Sequence, residues 1–445
     1  MAETYDLILK GGTVVNHDGL GLRDLGIRGG RFVAIGDLSS ASAGEVIDCK
    51  GLHLLPGVID SHTHMREPGL THKEDLESGS RGAVLGGVTA VFEMPNTDPA
   101  TIDAGAVADK VKRGHHRMHC DFAFYVGATR ENTKDLGELE MLPGVAGVKV
   151  FMGSSTGSLL IEDDEGVRNV LKAIRRRAAF HSEDEYRLRE RMSERIDGDP
   201  RSHPVWRDAT AALMCTQRLI ALAHETGKRV HVLHVTSRDE MEFLAGHKDV
   251  ASAECTPHHL TMAAPEAYEK HGVYAQINPP IRDASHREGL WRGIAQGVVD
   301  TLGSDHSPHT RDEKSQPYPK AHSGITGVQT YVPIMLDHVN AGRLSLQRFV
   351  DLSSAGPARV FGIATKGRIV AGYDADLTVV DLKRRETITN KWIASRAGWT
   401  TYDGVGVTGW PVGTLVRGRK AMWDGSLVDT GQGEAVRFLE SLAAG

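Results

Sequence analysis

The chain has 445 residues with 40% apolar and 25% charged side chains, which excludes disordered, collagenous and fibrous classes and leaves room for two or three domains or one large barrel with an appendage. Lys and Arg number 52 against 58 Asp and Glu, a net charge of −6 with no basic stripe, which argues against nucleic-acid and anionic-membrane partners and for a small-molecule substrate. The N-terminal MAETYDLILKGG has no basic and apolar leader, and no run nears the roughly 18 apolar residues of a membrane span, so a cytoplasmic protein is expected.

In chain order, the first 55 residues read as short strands and turns: YDLILKGGTVV, an NHDG turn, LRDLGIRGGRFVAIG with a Gly-Gly hairpin signal, then EVIDCKGLHLLPG. The same texture returns in GRIVAGYDADLTVVDL and GTLVRGRKAMWDGSLV, so the two ends are expected to meet in one small β-sandwich domain, residues 1–54 plus 364–445 with a C-terminal tail. Between them lie eight short apolar runs bounded by turn residues: LLPGVIDSH, GVTAVFEMP, CDFAFYVG, GVKVFM, AAFHSE, RVHVLHV, ASAECTP and VVDTLGSD. Runs without polar alternation fit strands covered on both faces, and most are spaced widely enough for a helix, which predicts an α/β fold, a (β/α)8 TIM barrel over residues 55–363. A doubly wound open sheet is the alternative, but no G-x-G-x-x-G follows the first run. The stretch 305–325 is polar, proline-bearing and helix-poor, and reads as a loop over the site. Cys49, Cys120, Cys215 and Cys255 lie far apart with no C-x-x-C, the pattern of buried, reduced thiols.

His62 and His64 form H-x-H at the end of the first run, where the two-residue period of a strand points both side chains the same way. Lys149, His181, His234 and Asp305 stand at the C-terminal ends of runs four, five, six and eight, the face on which TIM-barrel enzymes carry their sites. Imidazole and carboxylate without thiolate suit zinc or a similar divalent ion in a catalytic site. A lysine among such groups must be neutral, point away, or become an anion by adding carbon dioxide; a carbamate would bridge two metals.

Beyond the individual ligands, PGVIDSHTHMREPG (56–69), GGVTAVFEMPNT (86–97), INPPIR (277–282) and GSDHSPH (303–309) resemble, in order, the motifs of the cyclic amidohydrolases of the metal-dependent amidohydrolase superfamily, and within it dihydroorotase. The resemblance spans nearly the whole chain. It implies a barrel with a β-sandwich and two zinc ions held by His62, His64, Lys149, His181, His234 and Asp305, with carbon dioxide fixed as a Lys149 carbamate and Asp305 catalytic. It also implies that His64, Arg66, Asn96, Asn278 and His309 bind the substrate, carbamoyl aspartate or dihydroorotate. Some members resemble each other in bridging with an aspartate, which leaves Asp163 and Asp164 as alternatives to Lys149; the lysine is favoured because it ends a strand-like run. Two dications less a carbamate, Asp305 and a hydroxide leave the site at about +1 before Arg66 is added, which favours an anionic ligand. A homo-oligomer is expected, and association with aspartate transcarbamoylase stays open.

The nearest rivals are hydantoinase, dihydropyrimidinase and allantoinase, which share the ligands by resemblance; Arg66 favours a carboxylate-bearing ring, and the allantoinase pattern has asparagine there. A remoter rival is an inactive dihydroorotase-like scaffold, against which all six ligand positions are filled. His115, His116 and His119 are expected on the surface, Arg175, Arg176 and Arg177 at a solvated helix end, and His258 or His259 behind a metal ligand.

Overall fold

Strands that are apolar at every position need cover on both faces, and a closed ring of them under a layer of helices supplies it. The computed structural model describes residues 4–155 and 159–442. Among these, eight parallel strands pair in chain order: β1 (Val58–Thr63), β2 (Val88–Glu93), β3 (Asp121–Gly127), β4 (Val145–Phe151), β5 (Ala178–His181), β6 (Val230–Val232), β7 (Ala251–Cys255) and β8 (Val299–Leu302). The ring is drawn together just beyond β1 and β8, where Thr63 bridges His306. The expected TIM barrel is present.

The two-residue period sorts each strand. Ala90 and Phe92, Ala123 and Tyr125 pack in one cluster with Ala146, Ala179, Phe361 and Phe438, while Val91, Phe122, Phe124 and Val126 join the larger core shared with the helices. Phe92 meets Phe361 and Phe438 edge-on at centroid distances of 5.7 and 5.8 Å, so two aromatic rings from the C-terminal part of the chain fill the lumen. The chain ends meet as expected in a second sheet. Its strand His53–Pro56 runs parallel to Thr4–Asn16 on one side and antiparallel to Leu377–Thr387 on the other.

The second sheet docks on the N-terminal end of the barrel through buried charge. Lys366 donates to Asp121 at 2.7 Å and to Asp376, and lies 3.4 Å from Asp374; Arg417 pairs with Asp121 as well. Asp121 opens β3, whereas Asp374 and Asp376 lead into Leu377–Thr387. Burial alone would lower the Lys366 ammonium, but Asp121, Asp376 and Asp374 outweigh it and raise it well above the ordinary lysine value.

One surface expectation fails here. Arg176 is buried rather than solvated: Nη1 donates to Val145 O at 2.8 Å and Glu140 O at 3.0 Å, Nη2 to Phe361 O at 3.1 Å, and the guanidinium stacks on Phe438 at 4.4 Å. The helix Asp164–Ala173 has ended before it, and the free carbonyls around the base of the barrel need a donor with a fork of N–H groups. Arg175 is exposed as expected, Arg177 half-buried. Cys49, Cys120, Cys215 and Cys255 are buried free thiols. Among the described residues no helix is long and apolar enough to cross a membrane.

Lys366→Met leaves Asp376 without a side-chain cation and Asp121 with Arg417 alone, and removal of one partner from a buried pair costs about 3 to 5 kcal/mol. The expected result is an unfolding free energy lowered by about that amount, measured by equilibrium urea unfolding.

Candidate metal centre

The tips of β1 and β8 are stitched together by backbone. His64 N donates to His306 O at 2.7 Å, and Asp60 Oδ1 accepts from His62 N at 3.2 Å and Ser304 N at 2.9 Å. This brings His62 Nε2 and His64 Nε2 to 3.3 and 3.2 Å from Asp305 Oδ1. Ring nitrogens on the far sides are anchored: His62 Nδ1 lies 2.7 Å from Glu254 Oε1, and His64 Nδ1 2.8 Å from Asn96 Oδ1. A carboxylate can only accept, so the Glu254 contact places the proton of neutral His62 on Nδ1 and leaves the Nε2 lone pair facing an anionic oxygen.

A second pair repeats the arrangement. His181 Nε2 lies 2.9 Å from Glu183 Oε2, which turns the His181 Nδ1 lone pair toward His234 Nε2, 3.0 Å away. The His62 and His234 rings are 5.2 Å apart, joining the pairs. Lys149 lies in register beside β5, opposite Ala179, and its Nζ sits 4.5 Å from the centre of the Phe151 ring. All six predicted ligands line one cleft of about 340 Å³ that opens to solvent, with Arg66, Asn96 and Asn278 on its wall. His62, His64 and His181 turn lone pairs toward Asp305 and His234, a donor set that suits a divalent cation, so the residues fit the expected metal. His62, His64 and Asp305 alone already place one ligand atom each within 4.8 Å of one another.

The charges agree. Burial holds the His64 imidazole down at about 3 and lowers His181 and His234, so these rings are neutral at pH 7 and keep a lone pair to offer. Burial opposes ionisation of Asp305, but His62, His64 and His234 outweigh it and hold the carboxyl well below its usual range. Lys149 is brought down to about 7, chiefly by burial, which gives the neutral amine that carbamate formation requires. Asp163 and Asp164 are elsewhere: Asp163 caps the helix Asp164–Ala173 through Gly166 N and pairs with Arg130, and Asp164 pairs with Arg218.

Arg66 reaches the cleft from beyond the end of the strand. β1 ends at Thr63, and a left-handed backbone, φ 65°, turns the guanidinium inward, where it is 2% exposed. Its Nε donates to Pro308 O at 3.1 Å; among the described residues no carboxylate lies within 4.0 Å of it. Burial lowers it to about 10, so it stays a cation. His234 and Asp305 also hold positive φ, 35° and 44°, a conformation costing about 1 to 3 kcal/mol each at non-glycine residues and tolerated where surroundings fix it.

Other expectations fare differently. His309 is fully buried behind Arg66, with Nε2 3.2 Å from Arg66 Nη2, and Asn278 accepts from His203 Nε2 at 3.0 Å. The stretch 305–325 is the expected loop, with Ser307, Ser323 and Gly324 on the cleft wall; it carries the short helix Arg311–Lys314 and is pinned by the buried Lys314 ammonium, which donates to His322 O at 2.8 Å, Gly324 O at 3.1 Å and Gln276 O at 3.3 Å. His115 and His116 are exposed, and His119 bonds Glu77. His259 bonds Thr256 and Pro279 instead of a metal ligand, and His258 Nε2 has no hydrogen-bond partner. The partners behind the ligands are Glu254 and Glu183, which sequence reasoning missed. An ionisable residue inside the apolar run ASAEC was the available signal for Glu254; Glu183, two residues past His181, had none beyond its place at a strand end.

The amidohydrolase family profile matches residues 53–421. The dihydroorotase of Halobacterium salinarum is 36% identical over 427 residues, covering 94% of this chain and 97% of that protein. The allantoinase of Deinococcus radiodurans is 32% identical over 451 residues, covering 98% and 99%. The solved L-hydantoinase (dihydropyrimidinase) from Arthrobacter aurescens superposes with a TM-score of 0.91 at 30% identity over 97% of this chain and 99% of that one.

Burial pushes the Glu254 carboxyl up, yet His62 and His231 outweigh it and hold it at about 2, so it is an anion throughout the working range. Glu254→Gln removes that charge while keeping the shape. Metal affinity is expected to fall about 10- to 100-fold, the size seen when such outer partners are lost, as read by chelator competition.

Proposed function

We propose that this chain, which belongs to the amidohydrolase family, is a dihydroorotase that interconverts N-carbamoyl-L-aspartate and L-dihydroorotate in pyrimidine biosynthesis. The observation that carries this reading is Arg66: a buried guanidinium without a carboxylate partner, facing a cleft ringed by metal ligands. A guanidinium buried without a carboxylate in contact keeps part of its desolvation cost, and a substrate carboxylate gripped by the planar fork relieves it. A neutral hydantoin or dihydrouracil ring offers no such anion. Relatives named dihydroorotase and allantoinase are similarly identical to this chain over nearly its whole length, so this one side chain is what favours dihydroorotate over the other rings.

The ligand set assigned to two zinc or similar ions is His62, His64, Lys149 as its carbamate, His181, His234 and Asp305. When bound, such ions supply Lewis acidity to a ring carbonyl and a water nucleophile active at neutral pH. Arg66 and Asn278 orient the ring by its carboxylate and polar edge. Asp305 accepts the proton released as water adds to the carbonyl carbon, then returns it to the ring nitrogen as the C–N bond breaks. Ring closure runs the same transfers backwards, with Asp305 first taking the proton from the carbamoyl nitrogen.

Asp305→Asn cannot accept a proton at any ordinary pH. Turnover of dihydroorotate is expected to vanish while circular dichroism and most of the metal are retained; more than about a tenth of wild-type activity contradicts the acid/base role. Arg66→Met deletes a charge-assisted pair worth roughly 2 to 5 kcal/mol in a buried site. The expected loss in kcat/KM for dihydroorotate is about thirtyfold to several-thousandfold at equal metal loading, with little recovery in Arg66→Lys. Dihydrouracil is expected to be turned over no worse by the Met variant than by wild type. A parallel assay of dihydroorotate, dihydrouracil, hydantoin and allantoin tests the assignment, and rapid turnover of dihydrouracil with none of dihydroorotate overturns it.

A further inference from the structure

We infer that His224, His247 and Asp249 form a further metal site, apart from the catalytic cleft, which takes zinc or another imidazole-seeking divalent ion and staples the last turn of one barrel helix to the turn that leads into β7. Among the described residues, two groups of three side chains bring one ligand atom each within 4.8 Å of one another. One is His62, His64 and Asp305 in the cleft; the other is this one. His224 stands in the last turn of the helix Ala209–Thr226, shortly before β6 begins at Val230. His247 and Asp249 follow the helix Arg238–Ala245 and precede Ala251, the first residue of β7. The cleft ligands stand at the far ends of their strands, so an ion held here sits at the opposite end of the barrel and cannot reach the cleft.

The spacing fits an ion. His224 Nε2 lies 3.3 Å from His247 Nδ1. Two nitrogens each about 2.0 to 2.1 Å from a tetrahedral zinc are held about 3.3 to 3.4 Å apart, so the rings already have the separation that such an ion imposes. A ring-to-ring hydrogen bond accounts for that distance by itself; the third donor is what points to a metal. Asp249 Oδ2 is 3.7 Å from His224 Nδ1, and the carboxylate is 64% exposed, so it can swing toward the ring pair without giving up a buried contact. Water completes a set of four. The His247 ring is backed by Phe243 at a centroid distance of 4.4 Å, and its backbone is pinned by His247 N donating to Leu244 O and Ala251 N donating to His247 O. Flanking charges are committed elsewhere: Lys248 donates to Val298 O at 2.7 Å and pairs with Asp300, and Glu225 accepts from Arg168 at 2.6 and 3.0 Å. Among the described residues, no lysine or arginine lies within 4.0 Å of Asp249 to compete with an ion. Two imidazoles to one carboxylate suit zinc, nickel or copper better than magnesium or calcium.

The test uses full-length enzyme with its catalytic metal loaded, dialysed against micromolar free zinc and then counted for zinc per chain by atomic emission. Wild type is expected to carry one zinc more than His224→Gln or His247→Ala, with kcat/KM within about twofold in all three, because the sites lie far apart. Magnesium in place of zinc is expected to give no such difference. Zinc is also expected to raise the urea midpoint of wild type further than that of either variant, since an ion bound only by the folded chain stabilises it. His224 is exposed, so His224→Gln carries the test if loss of the His247 ring from Phe243 unfolds the other variant. Equal zinc counts in wild type and His224→Gln reduce the pair to a hydrogen bond and overturn the site. An extra zinc that leaves the urea midpoint where it was overturns the stapling role. The count is read without substrate, so it stands apart from the dihydroorotase assignment.

Discussion

Buried imidazoles whose outer nitrogens are taken turn their remaining lone pairs inward, an arrangement that a cation relieves, and the upper half of the barrel is built around that constraint. Glu254 and Glu183 each take the outer proton of one ring, and Asn96 anchors another, so that ring orientation is settled before any ion arrives. Removing the anchors would let the rings turn and satisfy one another. The left-handed residues His234 and Asp305 belong to the same bargain: strained backbone persists because the flanking strands over-determine it.

The barrel separates two kinds of burial. At one end the lumen is filled by Phe361 and Phe438 against Phe92, and the second sheet is locked on by Lys366 among three aspartates. At that end the charges are paired and the rings packed. At the other end polar groups outnumber partners, and a cleft of about 340 Å³ admits solvent. Rigidity below is what lets the upper groups be held in positions they would not choose alone.

Arg66 shows how little of substrate choice lies in the metal ligands. The six groups at the strand ends suit any cyclic amide, whereas a desolvated guanidinium beside them discriminates by charge. His309 sits between Arg66 and Lys73 and ties the guanidinium to the segment behind the cleft.

The sequence by itself determined the barrel, the sheet formed from both chain ends and the six groups at the strand ends, because a strand's period and the topology of parallel β/α units fix which positions share a face. The resemblance also placed Arg66 near the site but not how it is aimed, since the strand stops at Thr63 and a left-handed turn directs the side chain. What the sequence could not hold were pairings between residues far apart in the chain. Glu254 meets His62 across 192 positions, Arg176 spans the base of the barrel to Phe361, and Lys73 finds His309 across 236. Local pattern reports which way a side chain points, but the partner it meets there is decided only when the strands close, because hydrogen bonding is a matter of a few tenths of an ångström in three dimensions and leaves no period in one.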